Sequence, residues 1–297
     1  MLNLFEEENV ELLSIQQAVS DIKSLIENAI TNGGQDKKGN IIDGCQAKNN
    51  LIKSQVPICK LHDAVKSSFI ELGVNSSYIK PPLLHHDGEV KIFGRLKAKN
   101  QDVCIFPNDM NQERQRLSYN GLLQGKMDPL GLQLTERILS VNIRSQLSSG
   151  NKNFDTLYER TFAEALNLHL RCDQMVLGEV YMIPVYEYDD NAAKQNQVGF
   201  KNNKRVRSRI EQYLASFGAI NGRIDTTTDY WQYERVCLLI VDFNNPTPRI
   251  FNTDQELIDA GLLSRNSGLS IENMNFNSLA STLLDVYSQR FGDGKFI

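Results

Sequence analysis

Cysteine and histidine are both scarce in this chain. The five cysteines, Cys45, Cys59, Cys104, Cys172 and Cys237, are odd in number and form no CxxC pair. With only four histidines beside them, a structural zinc site is not expected. Cys104 and Cys237 lie inside apolar runs and read as reduced core residues. No apolar run approaches the twenty or so residues that span a membrane. The acidic start, MLNLFEEENVELL, lacks the basic flank of a secretory signal, so a cytoplasmic location is the expectation. There is no GxSxG, no P-loop and no GxGxxG. Net positive charge is missing too: the formal charge is −4 and the isoelectric point about 5.7. That argues against a generic nucleic-acid coat protein, whose footprint is basic. It leaves room for a DNA enzyme that gathers its cations in one cleft.

The 297 residues, 41% hydrophobic and 23% charged, suffice for a soluble globular protein with a sizeable core. Residues 6 to 31 carry Leu12, Ile15, Val19, Ile22, Ile26 and Ile30 at helical spacing, and Gly33-Gly34 ends the pattern. The stripe reads as a helix packed on its own domain, with a dimer arm as the alternative. Residues 31 to 50 read as a polar loop, and 59 to 72 as a second helix. From residue 89 the period changes. Strands are expected at 89–96, 102–106, 137–143, 175–185 and 236–243, the last nearly all apolar and therefore central. Helices are expected at 154–170, 205–217 and 275–291. The fold class is α/β, a mixed central sheet flanked by helices. The first 80 residues form a helical N-terminal region packed on it, and residues 81–297 the α/β domain.

Two strands hold the groups that phosphodiester hydrolysis needs. One begins with Asp102; the other ends in Asn142-Ile143-Arg144, followed by a polar loop and a helix that carries Glu159 and Glu164. Mg²⁺ favours carboxylates and keeps several waters, and a nearby cation stabilises charge developing on the phosphate. The run NIRSQLSSGNKNFDTLYERTFAEA, with KNQDV upstream and GEVYMIPVYEYD and YERVCLLIVDF downstream, resembles the PD-(D/E)xK type II restriction endonucleases, most of all their Xho-type group. The resemblance covers roughly residues 90 to 245 and implies a restriction-endonuclease-like fold. It implies Asp102 as the metal-binding acid, Arg144 at the position of the catalytic lysine and Gln146 as the glutamine that often follows. Asn142 stands where the second acid belongs, which is a departure: an amide brings no charge, and Arg144 stays protonated and cannot act as a base. The missing carboxylate is then expected on the following helix, with Glu159 preferred and Glu164 or Glu71 as alternatives. The candidate catalytic set is Asp102, Asn142, Arg144 and Glu159, with Asp102 and Glu159 holding Mg²⁺.

Polar side chains beside this set, Gln146, Ser148, Ser149, Asn151 and Lys152, suit phosphate and base-edge hydrogen bonds. The basic run from Lys201 to Arg209, with Lys204 and Arg205, suits phosphate contact or is a solvated loop. His85-His86-Asp87 reads as surface loop, Glu179 and Glu187 as charge without chemistry, and Trp231 with its tyrosine neighbours as packing. The expected activity is Mg²⁺-dependent, sequence-specific cleavage of double-stranded DNA by a homodimer, with a cognate methyltransferase acting on the same site. The alternatives are a catalytically decayed DNA-binding module and a less specific repair or defence nuclease.

Overall fold

The computed structural model describes residues 11–147, 154–201 and 209–297. The calls on Ser148, Ser149, Asn151, Lys152, Lys204 and Arg205 lie outside the described residues.

Helix α1 (Ile15–Asn32) opens at Ser14, whose hydroxyl accepts from Gln17 N at 3.2 Å. That cap starts the helix at Ile15, with residues 11–14 outside it; the first part of the helix expected over 6–31, residues 6–10, lies outside the described residues. The stripe Val19, Ile22, Ile26 and Ile30 is buried in the chain's own core. Two short strands follow, β1 (Gly34–Gln35) and β2 (Ile41–Ile42), then helices α2 (Gly44–Lys53) and α3 (Val56–Glu71). The α2 helix lies partly in the segment expected as loop. Asp43 caps it by accepting from Gln46 N at 2.8 Å, and its polar residues hid its buried side, which includes Cys45, Ala47 and Lys48.

Strands β3 (Ile79–Lys80), β4 (Val90–Phe93), β5 (Ala98–Gln101) and β6 (Val103–Ile105) come next. After them stand β7 (Gln115–Arg116), β8 (Met127–Asp128), helix α4 (Gly131–Glu136) and strand β9 (Leu139–Ser145). The rest is α5 (Phe154–His169), β10 (Leu177–Pro184), α6 (Asp190–Lys194), α7 (Ile210–Ala219), β11 (Arg235–Asp242), β12 (Arg249–Phe251), α8 (Asp254–Asp259) and α9 (Leu279–Phe291).

Six strands form one mixed sheet in the order β12-β11-β10-β9-β6-β3. The three central strands β9, β10 and β11 run parallel, and β6 joins β9 antiparallel. Parallel neighbours need a crossover, and α5 supplies it between β9 and β10. Every residue of β10 is buried. This is why that strand reads as a continuous apolar run rather than an alternating one. Successive side chains leave opposite faces of the sheet. Val141, Ile143, Val180 and Leu239 meet α1, α3 and α9 on one side. Leu177, Tyr181, Leu238 and Ile240 meet α5 and α7 on the other. The helical N-terminal residues therefore share a core with the sheet. Among the described residues no helix is long and apolar enough to cross a membrane.

Candidate functional site

The site forms where β6 and β9 part. Their ladder pairs Ile105 with Leu139, Cys104 with Ser140 and Val103 with Val141. One residue further on, the chain bends at Asp102 to become β5, and the ladder stops. Ile143 N–H then has no backbone acceptor on β6, and Asp102 Oδ2 takes its place at 2.6 Å. The first acid is thus bound to the backbone midway along Asn142-Ile143-Arg144. Asp102 is half-buried. Desolvation pushes its carboxyl up to about 6, against the Ile143 hydrogen bond; Glu89 and Glu164 add to the rise and Arg144 opposes it.

Asn142 and Arg144 leave β9 on the α5 side, and Glu179 on β10 stands in register with Asn142. Arg144 Nη2 lies 2.6 Å from Glu164 Oε2, and its Nη1 donates to Glu179 Oε1 and, at 3.2 Å, to Thr161 Oγ1. Lys99, on β5, also donates to Glu164 Oε2. The other oxygen of Glu164 accepts from Gln101 Nε2 at 3.0 Å and Asn142 Nδ2 at 3.3 Å. Gln101 Oε1 in turn accepts from Ser140 Oγ at 2.9 Å and Asn142 Nδ2 at 3.0 Å. Tyr233 fixes the helix behind this network by donating to Thr161 O at 2.8 Å.

The electrostatics follow from burial. Glu179 is wholly enclosed, and desolvation pushes it up to about 8 against the pull of Arg144. Burial also works against the charge on Arg144, yet Glu179, Tyr233 and Glu164 hold it above its ordinary value, so it stays a cation. Glu179 Oε2 is buried without a hydrogen-bond partner. Beyond Arg144 a groove of about 350 Å³ opens, lined among others by Lys53, Gln55, Ser145, Leu157 and Tyr181.

Of the residues singled out in the sequence, Asp102, Asn142 and Arg144 come together, and Glu164 is the helix carboxylate that joins them. Glu159 is exposed on α5. Five residues before Glu164, it lies about 140° around the helix and faces away from the network. Glu71 ends α3, exposed, beside a different cavity lined by Leu13, Ser68 and Phe276. Gln146 is buried, and its side-chain oxygen accepts from Tyr213 Oη, so in this state it faces protein. Sequence reasoning set Glu179 aside and did not pick out Lys99, Gln101 or Thr161. A signal existed for Glu179: it is the one acid in the apolar run LGEVYMIP, and a charge inside a buried strand asks for a partner.

Among the described residues no three His, Cys, Asp or Glu side chains stand close enough to enclose an ion. Mg²⁺ does not need such a cage, because it binds through one or two carboxylates and retains waters. Asp102, Glu164 and Glu179 feel one another's charge around Arg144. Glu179 Oε2 has no hydrogen-bond partner, and Glu89 and Glu164 add to the rise that burial causes at Asp102. Asp102 and Glu164 are the carboxylates that could hold a hard cation; Asn142 turns its Nδ2 toward Glu164 and Gln101. Lys99 and Arg144, which now occupy Glu164, have to yield one of its oxygens. No family model, curated protein or solved structure matches the chain.

Proposed function

We propose that this protein is a type II restriction endonuclease of the PD-(D/E)xK class, which cleaves both strands of duplex DNA at a short specific sequence. The observation that carries this reading is the hydrogen bond from Ile143 N to Asp102 Oδ2. It pins an acid at the head of one strand against the centre of the Asn142-Ile143-Arg144 triplet on its neighbour. Asp102 and Glu164 are the residues that would hold Mg²⁺. When bound, the ion supplies a readied water and neutralises charge building on the phosphate. Arg144 contributes a fixed cation for a phosphate oxygen. Asn142 and Gln101 hold the Glu164 carboxylate in place through their amides. Glu164 replaces Glu159 in the reading, because it alone of the two faces the strands.

Cutting two antiparallel strands at a palindrome calls for two sites, so the working form is a C₂ homodimer. Such an enzyme acts in the cytoplasm, where a methyltransferase specific for the same site protects host DNA.

One observation favours a second reading, a DNA-binding module whose catalysis has decayed. Both Glu164 oxygens are already satisfied, by two cations and two amides, and the second strand bears an amide where an acid is expected. Incubation with unmethylated phage DNA, with Mg²⁺ or with EDTA, separates the readings on a gel. Discrete Mg²⁺-dependent bands are the result expected of the restriction enzyme. A smear points to a less specific nuclease of the same fold. Intact DNA across metals and salts, with binding retained, overturns the catalytic reading in favour of the decayed module.

A further inference from the structure

The chain is acidic overall, yet one part of it is strongly basic. The hairpin β4–β5 spans residues 90–101, and the paired strands β7 and β8, with the two residues before them, span 113–128. These stretches hold seven lysines and arginines against two acids. Asp128 is buried on Arg171 at 2.5 Å, which leaves Glu113 as their exposed carboxylate. Lys91, Arg95, Lys97, Arg114, Arg116 and Lys126 are all exposed. Among the described residues none of these six has a salt-bridge partner.

The two pieces form one surface. Phe93 and Ala98 of the first pack against Leu117, Tyr119 and Leu123 of the second. The Arg95 guanidinium lies 4.1 Å from the Tyr119 ring centre. Both pieces are tied to the end of α5. Arg171 donates to Phe93 O in one and to Asp128 in the other. Asn167 clamps the β4–β5 turn: its Oδ1 accepts from Leu96 N at 2.7 Å and Lys97 N at 3.1 Å, and its Nδ2 donates to Lys97 O at 3.0 Å. Unpaired cations usually sit on mobile side chains over an indifferent scaffold. Here the backbone beneath them is fixed by buried side chains, and the same β5 strand runs directly into Lys99, Gln101 and Asp102.

We propose that this two-hairpin surface binds the phosphate backbone of duplex DNA and delivers it to the Asp102–Arg144 site. The proposal rests on the nuclease reading for the identity of the polyanion. The cations are spread over two linked hairpins, which suits a run of successive phosphates better than a single small anion. Exposed Gln112, Gln115, Asn120 and Gln124 interleave with them and offer hydrogen bonds to sugar and phosphate oxygens.

The test uses the full chain in EDTA, with a labelled duplex oligonucleotide of arbitrary sequence, read by fluorescence anisotropy between about 50 and 200 mM NaCl. The double variant Lys97→Glu/Arg116→Glu changes one cation on each hairpin. Lys37→Glu/Lys38→Glu makes the same charge change on the exposed β1–β2 turn. The expected result is a hairpin variant bound more than about tenfold more weakly, its log–log salt slope shallower by about 1.8, roughly 0.9 for each lost phosphate contact. The turn variant keeps the wild-type slope. Equal affinity and slope for wild type and hairpin variant overturn the surface and leave the nuclease reading standing. Failure of the wild type to bind duplex at any salt overturns both.

Discussion

Arg144 and Glu164, twenty residues apart, meet at 2.6 Å because β9 presents Arg144 to the face of the sheet that α5 covers. The same guanidinium reaches Glu179 on the neighbouring strand, so it joins a carboxyl group from the helix to one from the sheet. Removing one member of such a buried group costs more than the group contributes, because the remaining charges are left without a partner. Arg144→Ala is expected to destabilise the fold by about 3 kcal/mol, near the low end for buried pairs, since Glu179 can take up a proton. Adding Glu179→Gln to Arg144→Ala should recover part of the loss. Urea unfolding of the two variants measures this; a double variant no more stable than the single one contradicts the pairing.

The helix carboxylates give a sharper contrast. Glu164→Gln keeps the shape but removes the charge on which Lys99 and Arg144 converge, and it should abolish Mg²⁺-dependent cleavage. Glu159→Gln alters an exposed side chain and should change stability by less than about 0.5 kcal/mol, with cleavage unaffected. Loss of cutting in the second variant and not the first would transfer the metal-binding role to Glu159.

Much of this arrangement is readable from the sequence, for identifiable reasons. The strands β10 and β11 announce themselves because burial on both faces demands unbroken apolar runs. Asp102, Asn142 and Arg144 are readable because a short strand can present only alternate residues to one face. The orientation of α5 was also legible: Thr161, Glu164, Ala165 and Leu168 share one face of the helix, so Glu164 lies on the buried stripe. The expectation at Glu159 takes no account of that helical phase. The pairing of Glu179 with Arg144 was out of reach. It depends on the register between two parallel strands, which the crossover helix sets and no local pattern records. The α2 helix was hidden by its polar composition, since Lys48 is buried through an ion pair with Asp190 that is 142 residues away in sequence.

Asp102 links the site to pH. Its carboxyl is raised from 3.8 to about 6 in the folded chain. The folded state therefore holds its proton more tightly than the unfolded state. Stability is unaffected by this group below about pH 4 and falls as pH rises from there through about 6. Asp102→Asn removes that penalty, on the order of 3 kcal/mol by the size of the shift, while its side-chain oxygen still accepts from Ile143 N. The variant should melt higher than wild type at pH 8 and alike at pH 4. If Asp102 holds Mg²⁺ as proposed, the cation favours the ionised acid, so the wild-type rate should begin to rise below pH 6, and the variant should not cut. Calorimetry at the two pH values, together with a rate profile, checks both parts. A variant less stable than wild type at pH 8 would show that the Ile143 contact, not desolvation, dominates at Asp102.

A Cβ built on Gly94 comes 2.3 Å from Asn167 Nδ2 and 2.6 Å from Asn167 O. Both contacts are closer than atoms tolerate, and the carbonyl is helix backbone that cannot turn aside. Asn167 is also the side chain that accepts from the Leu96 and Lys97 amides. Gly94→Ala must therefore lift the β4–β5 turn from α5, at a cost of about 1–3 kcal/mol for overpacking. The damage should be local: α5 and the sheet keep their own hydrogen bonds, while the Leu96 and Lys97 amides lose their acceptor. Hydrogen exchange should accelerate at those two amides and remain slow along β10. If Gly94→Ala leaves them protected, Asn167 does not clamp the turn. If it frees them, duplex DNA affinity should fall although no charge has changed, because the cations of the hairpin are then no longer held in one arrangement before they meet the phosphates.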